Sequence, residues 1–144
     1  MSVDKVIYAR LTGNAAVTAI VGSTTPRIHP VIGPQSEQYP RITYQQISRD
    51  SLNMMQGPCG VNTYRMQVNC WARTFEGVRD LAQAVKKSYA DGGPLDGFRG
   101  TSATITVHRI ACEDESDFPE SPTEVGDSKP VYGKSIDFLV TIEE

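Results

Sequence analysis

Between Pro40 and Tyr89 the chain alternates apolar and polar residues through two segments, then switches to a helical period. Ile42 and Tyr44 fall on one face of the first segment, Thr43, Gln45 and Ile47 on the other. In the second, Tyr64, Met66, Val68 and Cys70 oppose Arg65, Gln67, Asn69 and Trp71. A period of two is the signature of a strand with one buried face. Thr74 is placed to cap the helix that follows, and Glu76 suits the positive end of its dipole. Phe75, Val78, Leu81, Ala82, Val85 and Tyr89 give that helix one apolar stripe. One-faced strands and a one-faced helix can bury their apolar surfaces only against each other, so helix on sheet is the expected layering. The block holds no catalytic dyad and no metal-ligand spacing, and it reads as a packing and docking surface.

The flanking segments extend this pattern. Val3, Ile7 and Leu11 at steps of four predict a helix over 3–11, and Gly13-Asn14 interrupts it. A second short helix is expected over 15–21, with Gly22 as its C-terminal cap. Prolines at 26, 30 and 34 leave room for one short strand over 27–31. Proline cannot donate to a central ladder, so that strand belongs at a sheet edge. Residues 50–60 are polar and end in Gly57-Pro58-Cys59-Gly60, which predicts a long loop, and loops of this length are often functional. The 74–89 helix should stop at Gly92-Gly93-Pro94. Two closing strands are expected, with Ile105, Val107 and Ala111 on the inner face of one. Tyr132, Ile136, Phe138, Val140 and Ile142 should face inward from the other. Between them, residues 113–129 concentrate carboxylates among Ser, Pro and Gly, which predicts an extended mobile excursion. The fold class is therefore α+β: a single domain over 1–144, with a mostly antiparallel sheet of about four or five strands packed by one main helix and the N-terminal helices.

Composition narrows the function classes. At 144 residues, with 39% hydrophobic and 22% charged residues, the chain suits one domain with one core. No run approaches the ~18 apolar residues of a spanning helix, and no basic segment followed by an apolar one marks a secretory signal, so no membrane partner is expected. The net charge of −3 leaves no general basic footprint for neutralising phosphates. Cys59, Cys70 and Cys112 are odd in number and widely spaced, so a disulfide framework is not expected and a reducing cytoplasm is the default site of folding. Cys70, on an apolar face, reads as a small buried hydrophobe.

Candidate chemistry is sparse. His29 and His108 have no partner at ligand spacing, which argues against a metal site, and no cofactor is expected. No G-x-S-x-G elbow is present. The glycines of 92–100 do not follow a strand and open a helix, as a phosphate cradle requires. The acidic run lacks the calcium-loop pattern, leaving a solvated loop as the simpler account. Arg65, Gln67 and Trp71 lie on the strand face opposite the apolar one. They suit a protomer–protomer interface, where aromatics and arginine concentrate binding energy. The alternative is that loops or the N-terminal helices cover that face. A small cytoplasmic enzyme or ligand-binding α+β domain is the rival class, and would need a concave polar pocket with strongly perturbed titratable groups.

The segments Arg27-Ile28-His29-Pro30, Tyr39-Pro40 through Gln46, and Val68-Asn69-Cys70-Trp71-Ala72 stand in this order between the N-terminal helix and the 74–89 helix, with Ile136-Asp137-Phe138-Leu139-Val140 closing the chain. In order and spacing they resemble the tail-completion, or tail-terminator, family of long-tailed bacteriophages and prophages, across nearly the whole chain. The resemblance implies an α+β protomer in a hexameric ring that caps the tail tube, ends polymerisation of the major tail protein and offers a surface to the head connector. Some relatives act instead as head-to-tail joining or minor tail proteins. It implies a place at the neck end of the virion tail after assembly in the host cytoplasm, and carries no catalytic residues. A closed heterologous ring needs two different complementary patches on each protomer. The face of Arg65, Gln67 and Trp71 is one candidate; the edge near Ile28 or the Ile105 strand is the other. Asp50, Asn53, Met54 and Gln56 are candidate docking residues for neighbouring tail parts. Asp114, Glu115, Asp117 and Glu120 are candidates to face the lumen, where carboxylates would repel phosphates and let DNA pass unbound.

Overall fold

The computed structural model describes residues 2–22, 26–31, 39–55, 57–117 and 132–143. Helices α1 (Ser2–Thr12) and α2 (Ala15–Val21) come first, then strands β1 (Ile28–Pro30), β2 (Arg41–Met54) and β3 (Gly57–Ala72). Helix α3 (Phe75–Lys86) follows, then a 3-10 turn (Tyr89–Asp91) and strands β4 (Gly100–Ser102), β5 (Ile105–Asp117) and β6 (Tyr132–Glu143). One curled six-stranded sheet runs in the order β1-β2-β3-β6-β5-β4. Only the β1–β2 pair is parallel; the others are antiparallel. The fold class is the α+β expected, and the strand added to the expected number is β4, whose three residues are too few to display alternation.

Alternation decides which face the helices cover. Tyr64, Met66, Val68 and Cys70 of β3 join Ile42 and Tyr44 of β2 and Ile136, Phe138, Val140 and Ile142 of β6 in one buried cluster. Against it lie Val3, Val6, Ile7 and Leu11 of α1, Val17 and Val21 of α2, and Val78, Leu81, Ala82 and Val85 of α3. Each large aliphatic buried here contributes about 1.5–3 kcal/mol of transfer free energy. Thr74 caps α3 as expected, accepting from the backbone N–H of Gly77; Asn14, read only as an interruption, caps α2 by accepting from Ala16 and Val17.

Four expectations are corrected. Residues 50–60 are not a loop, because β2 and β3 remain paired out to Met54 opposite Gly57. Asp50, Ser51 and Met55 are exposed and the segment carries no apolar alternation, so these strands look like polar loop in sequence. The acidic run begins as strand rather than excursion, since β5 pairs with β6 as far as Asp117 opposite Lys134; residues 118–129 lie outside the described ones. Helix α3 ends at Lys86, and Phe75, Tyr89 and Tyr132, assigned to the core stripes, are 49%, 46% and 37% exposed. Phe75 and Tyr132 meet edge-on at the surface, and Tyr89 meets the buried Phe98 edge-on. Finally, a register shift between Val107 and Arg109 changes the inward set of β5, so that Ile110 enters the core and Ala111 does not. One extra residue in a strand turns every later side chain to the other face.

Candidate assembly surfaces

The sheet face turned away from the helices is polar, and its side chains bond across strands. Trp71 Nε1 donates to Thr43 Oγ1 at 3.2 Å, and Gln45 Nε2 to Gln67 Oε1 at 2.9 Å. Arg65 donates to Asp137 Oδ2 through Nη2 at 2.8 Å and Nε at 3.2 Å, and the hydroxyls of Thr63 and Thr141 lie 3.1 Å apart. Arg65, Gln67 and Trp71 are thus brought together as expected. Much of their hydrogen-bonding capacity is used inside the protomer. Two buried acceptors on this face, Asn69 Oδ1 and Asp137 Oδ1, have no donor among the described residues. An unmet buried acceptor costs about 1–3 kcal/mol, so a donor brought by a neighbour would be well placed here.

Ile28 is separated from that group. At 2% exposure its side chain belongs to the core, and the outermost strand β1 offers backbone rather than Ile28 to a neighbour. Asp50, Asn53 and Met54 lie on β2 within the long β2–β3 hairpin, whereas Gln56 is outside the described residues. Strand β6 accompanies β3 only as far as Val61 opposite Glu143. Beyond that row, among the described residues, only these two strands stay paired, out to a turn where Met55 is fully exposed. The hairpin end is therefore a two-stranded ribbon projecting past the sheet.

At the opposite end of the sheet, Glu115 sits between two lysines: Lys86 of α3 bonds its Oε2, and Lys134 of β6 lies 3.3 Å from its Oε1. The hydrogen bond from Lys86 is the main reason its carboxyl is held below the usual range. Lys134 also lies 2.9 Å from Asp117, whose bond is the first cause of its raised pKa. Of the four carboxylates assigned to the lumen, Glu115 and Asp117 are thus balanced by lysines. Asp114 is exposed on β5, and Glu120 lies outside the described residues. The lysine partners were not foreseen, because they come from elements remote in sequence.

A third surface lies along β5, the strand of Ile105 named above as a candidate second patch; the groove beside it was not foreseen. Past β4, the outer side of β5 borders a groove of about 410 Å³ lined by Arg99, His108, Arg109, Phe98, Ile110 and the loop at Asp96. A smaller hollow lies between Tyr8 of α1 and Tyr44 of β2. Burial pushes the Tyr44 hydroxyl up, with Asp4 and Tyr8 adding to it. Burial likewise raises the Cys70 thiol to about 12, and Cys70 lines neither hollow. Among the described residues no cluster of His, Cys, Asp and Glu could hold a metal ion, and no helix is long and apolar enough to cross a membrane.

One core, one polar cross-bonded sheet face and one projecting strand pair define a small α+β domain. The sequence model of the tail completion protein gp17 family matches residues 5–118, that is α1 through β5 and one residue beyond, and the chain belongs to that family. It is accordingly a structural component of a phage-type virion tail. The fold is similar to that of a chain in the structure described as the virion of a native gene transfer agent (GTA) particle. The TM-score is 0.65 at 13% identity, over 96% of this chain and 92% of that one. A search of the curated protein sequences returns no match.

Proposed function

We propose that this protein completes the tail by assembling into a closed ring of six copies on the end of the tail tube. There it stops addition of the major tail protein and presents a docking surface to the head connector. Assembly takes place in the host cytoplasm, the ring sits at the neck, and DNA passes through its lumen without specific binding. It works by contact, with no catalytic step.

The observation that carries this reading is the projecting β2–β3 ribbon on a chain of the tail completion family. An isolated two-stranded ribbon is at best marginally stable in water. Its exposed Met55 tip gains most when seated on another protein, and Asp50, Asn53 and Met54 become parts of that finger. The polar face of Arg65, Gln67 and Trp71 supplies one protomer–protomer patch.

Electron microscopy of purified tail tubes mixed with the chain tests the proposal. A six-fold ring at one tube end, and loss of further elongation when fresh major tail protein is added, is the expected result. Binding to isolated connectors but not to tubes would replace it with the head-to-tail joining role. Native mass spectrometry of the same mixtures gives the stoichiometry.

A further inference from the structure

We propose that the basic groove beside β5 is a socket for the acidic half of β5 from a second copy. This contact rests on the reading of the chain as a self-assembling tail subunit. Strand β4 covers only Ile105 to Val107 of the β5 edge. Beyond it, Gly97 N–H donates to Ile110 O at 2.8 Å and Cys112 N–H to Asp96 Oδ1 at 3.2 Å, so the 96–99 loop stands beside the strand and forms the groove wall. The register shift after Val107 leaves both His108 and Arg109 exposed, and Arg99 is exposed on the opposite wall. Among the described residues neither Arg99 nor Arg109 has a carboxylate at salt-bridge distance, and His108 lies 3.5 Å from Glu143. Two arginines beside one apolar floor (Phe98 and Ile110), with His108 between the strand and Glu143, and Asp96 in the loop wall, stand out on a chain of net charge −3.

The complementary charge is on the same strand. Glu113 and Asp114 are exposed and have no cation among the described residues, unlike Glu115 and Asp117 with their lysines. An extended strand rises about 3.3 Å per residue, so Asp114 lies roughly 16 Å from Arg109 along β5, too far for the two to pair within one chain. A second copy can bring its acidic end to the groove. Each subunit then offers one socket and one plug, as a heterologous contact requires.

Charge reversal tests the contact. Arg99→Glu with Arg109→Glu makes socket and plug both acidic; Glu113→Lys with Asp114→Lys makes both basic. Wild type should assemble, alone or on tail tubes, and dissociate as salt is raised toward ~1 M, where screening shortens to about 3 Å. Each variant alone should remain monomeric with an unchanged circular dichroism spectrum. Their equimolar mixture should assemble again with alternating composition, read by native mass spectrometry. Assembly of either variant like wild type, or failure of the mixture to recover, overturns the contact. A wild type that stays monomeric even with tubes overturns both the contact and the ring. Recovery as a mixed dimer only supports the contact and overturns the ring. Duplex binding by wild type that Arg99→Glu/Arg109→Glu abolishes while assembly persists makes the groove a nucleic-acid site and overturns the contact.

Discussion

Arg65 and Asp137, two strands' side chains 72 residues apart in sequence, form an ion pair in which two guanidinium nitrogens share one carboxylate oxygen. The pair lies in the open face of the sheet, with Asp137 15% and Arg65 35% exposed. Arginine on such a face is a hot-spot candidate in sequence; in the fold it first holds β3 to β6.

Removing Arg65 should therefore cost stability before it costs assembly. Arg65→Ala leaves a mostly buried carboxylate without its cation, and a loss of about 1–3 kcal/mol is expected in urea unfolding of the monomer. Arg65→Ala/Asp137→Asn should recover part of that loss. A double-mutant cycle with no coupling between the two positions would exclude the pair as a structural element.

Acid should loosen the opposite end of the sheet. The Glu115 carboxyl is held below the usual carboxylate range, chiefly by the hydrogen bond from Lys86. Its stabilisation is present above the unfolded-state pKa and is lost as pH falls through the lower folded value. Unfolding free energy measured from pH 6 to pH 3 should fall less steeply in Glu115→Gln than in wild type. Parallel curves would show that the carboxylate contributes nothing to folding.

The β4–β5 hairpin offers a route to stabilisation. Its two turn residues, Ala103 and Thr104, both hold positive φ, 52° and 65°. Left-handed backbone costs a residue with a Cβ about 1–2 kcal/mol, and two-residue hairpin turns favour Asn-Gly. Ala103→Asn/Thr104→Gly should raise stability by about 1 kcal/mol, seen as a higher melting temperature. A decrease would mean that the native side chains stabilise the turn.

Gly93 should tolerate no side chain. A Cβ there would lie 1.7 Å from the Lys87 carbonyl oxygen, because the chain doubles back tightly after α3. Gly93→Ala should shift the backbone of the 87–94 segment and disturb the stacking of Arg10 on Phe98, now 4.0 Å from the ring centre. A loss above about 2 kcal/mol is expected. A neutral effect would require the turn to open at no cost.

Local pattern made much of the molecule readable. Wherever one face of a strand or helix is buried, the period of its apolar residues must follow the geometry of that element. Val3 to Leu11, Ile42 to Tyr44, Tyr64 to Cys70 and Ile136 to Ile142 were legible for that reason, as was the Thr74 helix start. The open face was legible as a set, because Arg65, Gln67 and Trp71 alternate with core residues.

What tertiary pairing alone could settle lies where alternation is absent or broken. The outer β2–β3 ribbon carries no repeating apolar pattern, so only its strand pairing marks it. A single bulge after Val107 exchanges Ile110 for Ala111 in the core and puts His108 and Arg109 together at a groove. Lys86 and Lys134 reach Glu115 from elements 29 and 19 residues away. The order of apolar and polar residues thus specifies which faces are buried, whereas the meeting of particular charges depends on strand register and helix placement, which are set by the packing of the whole core.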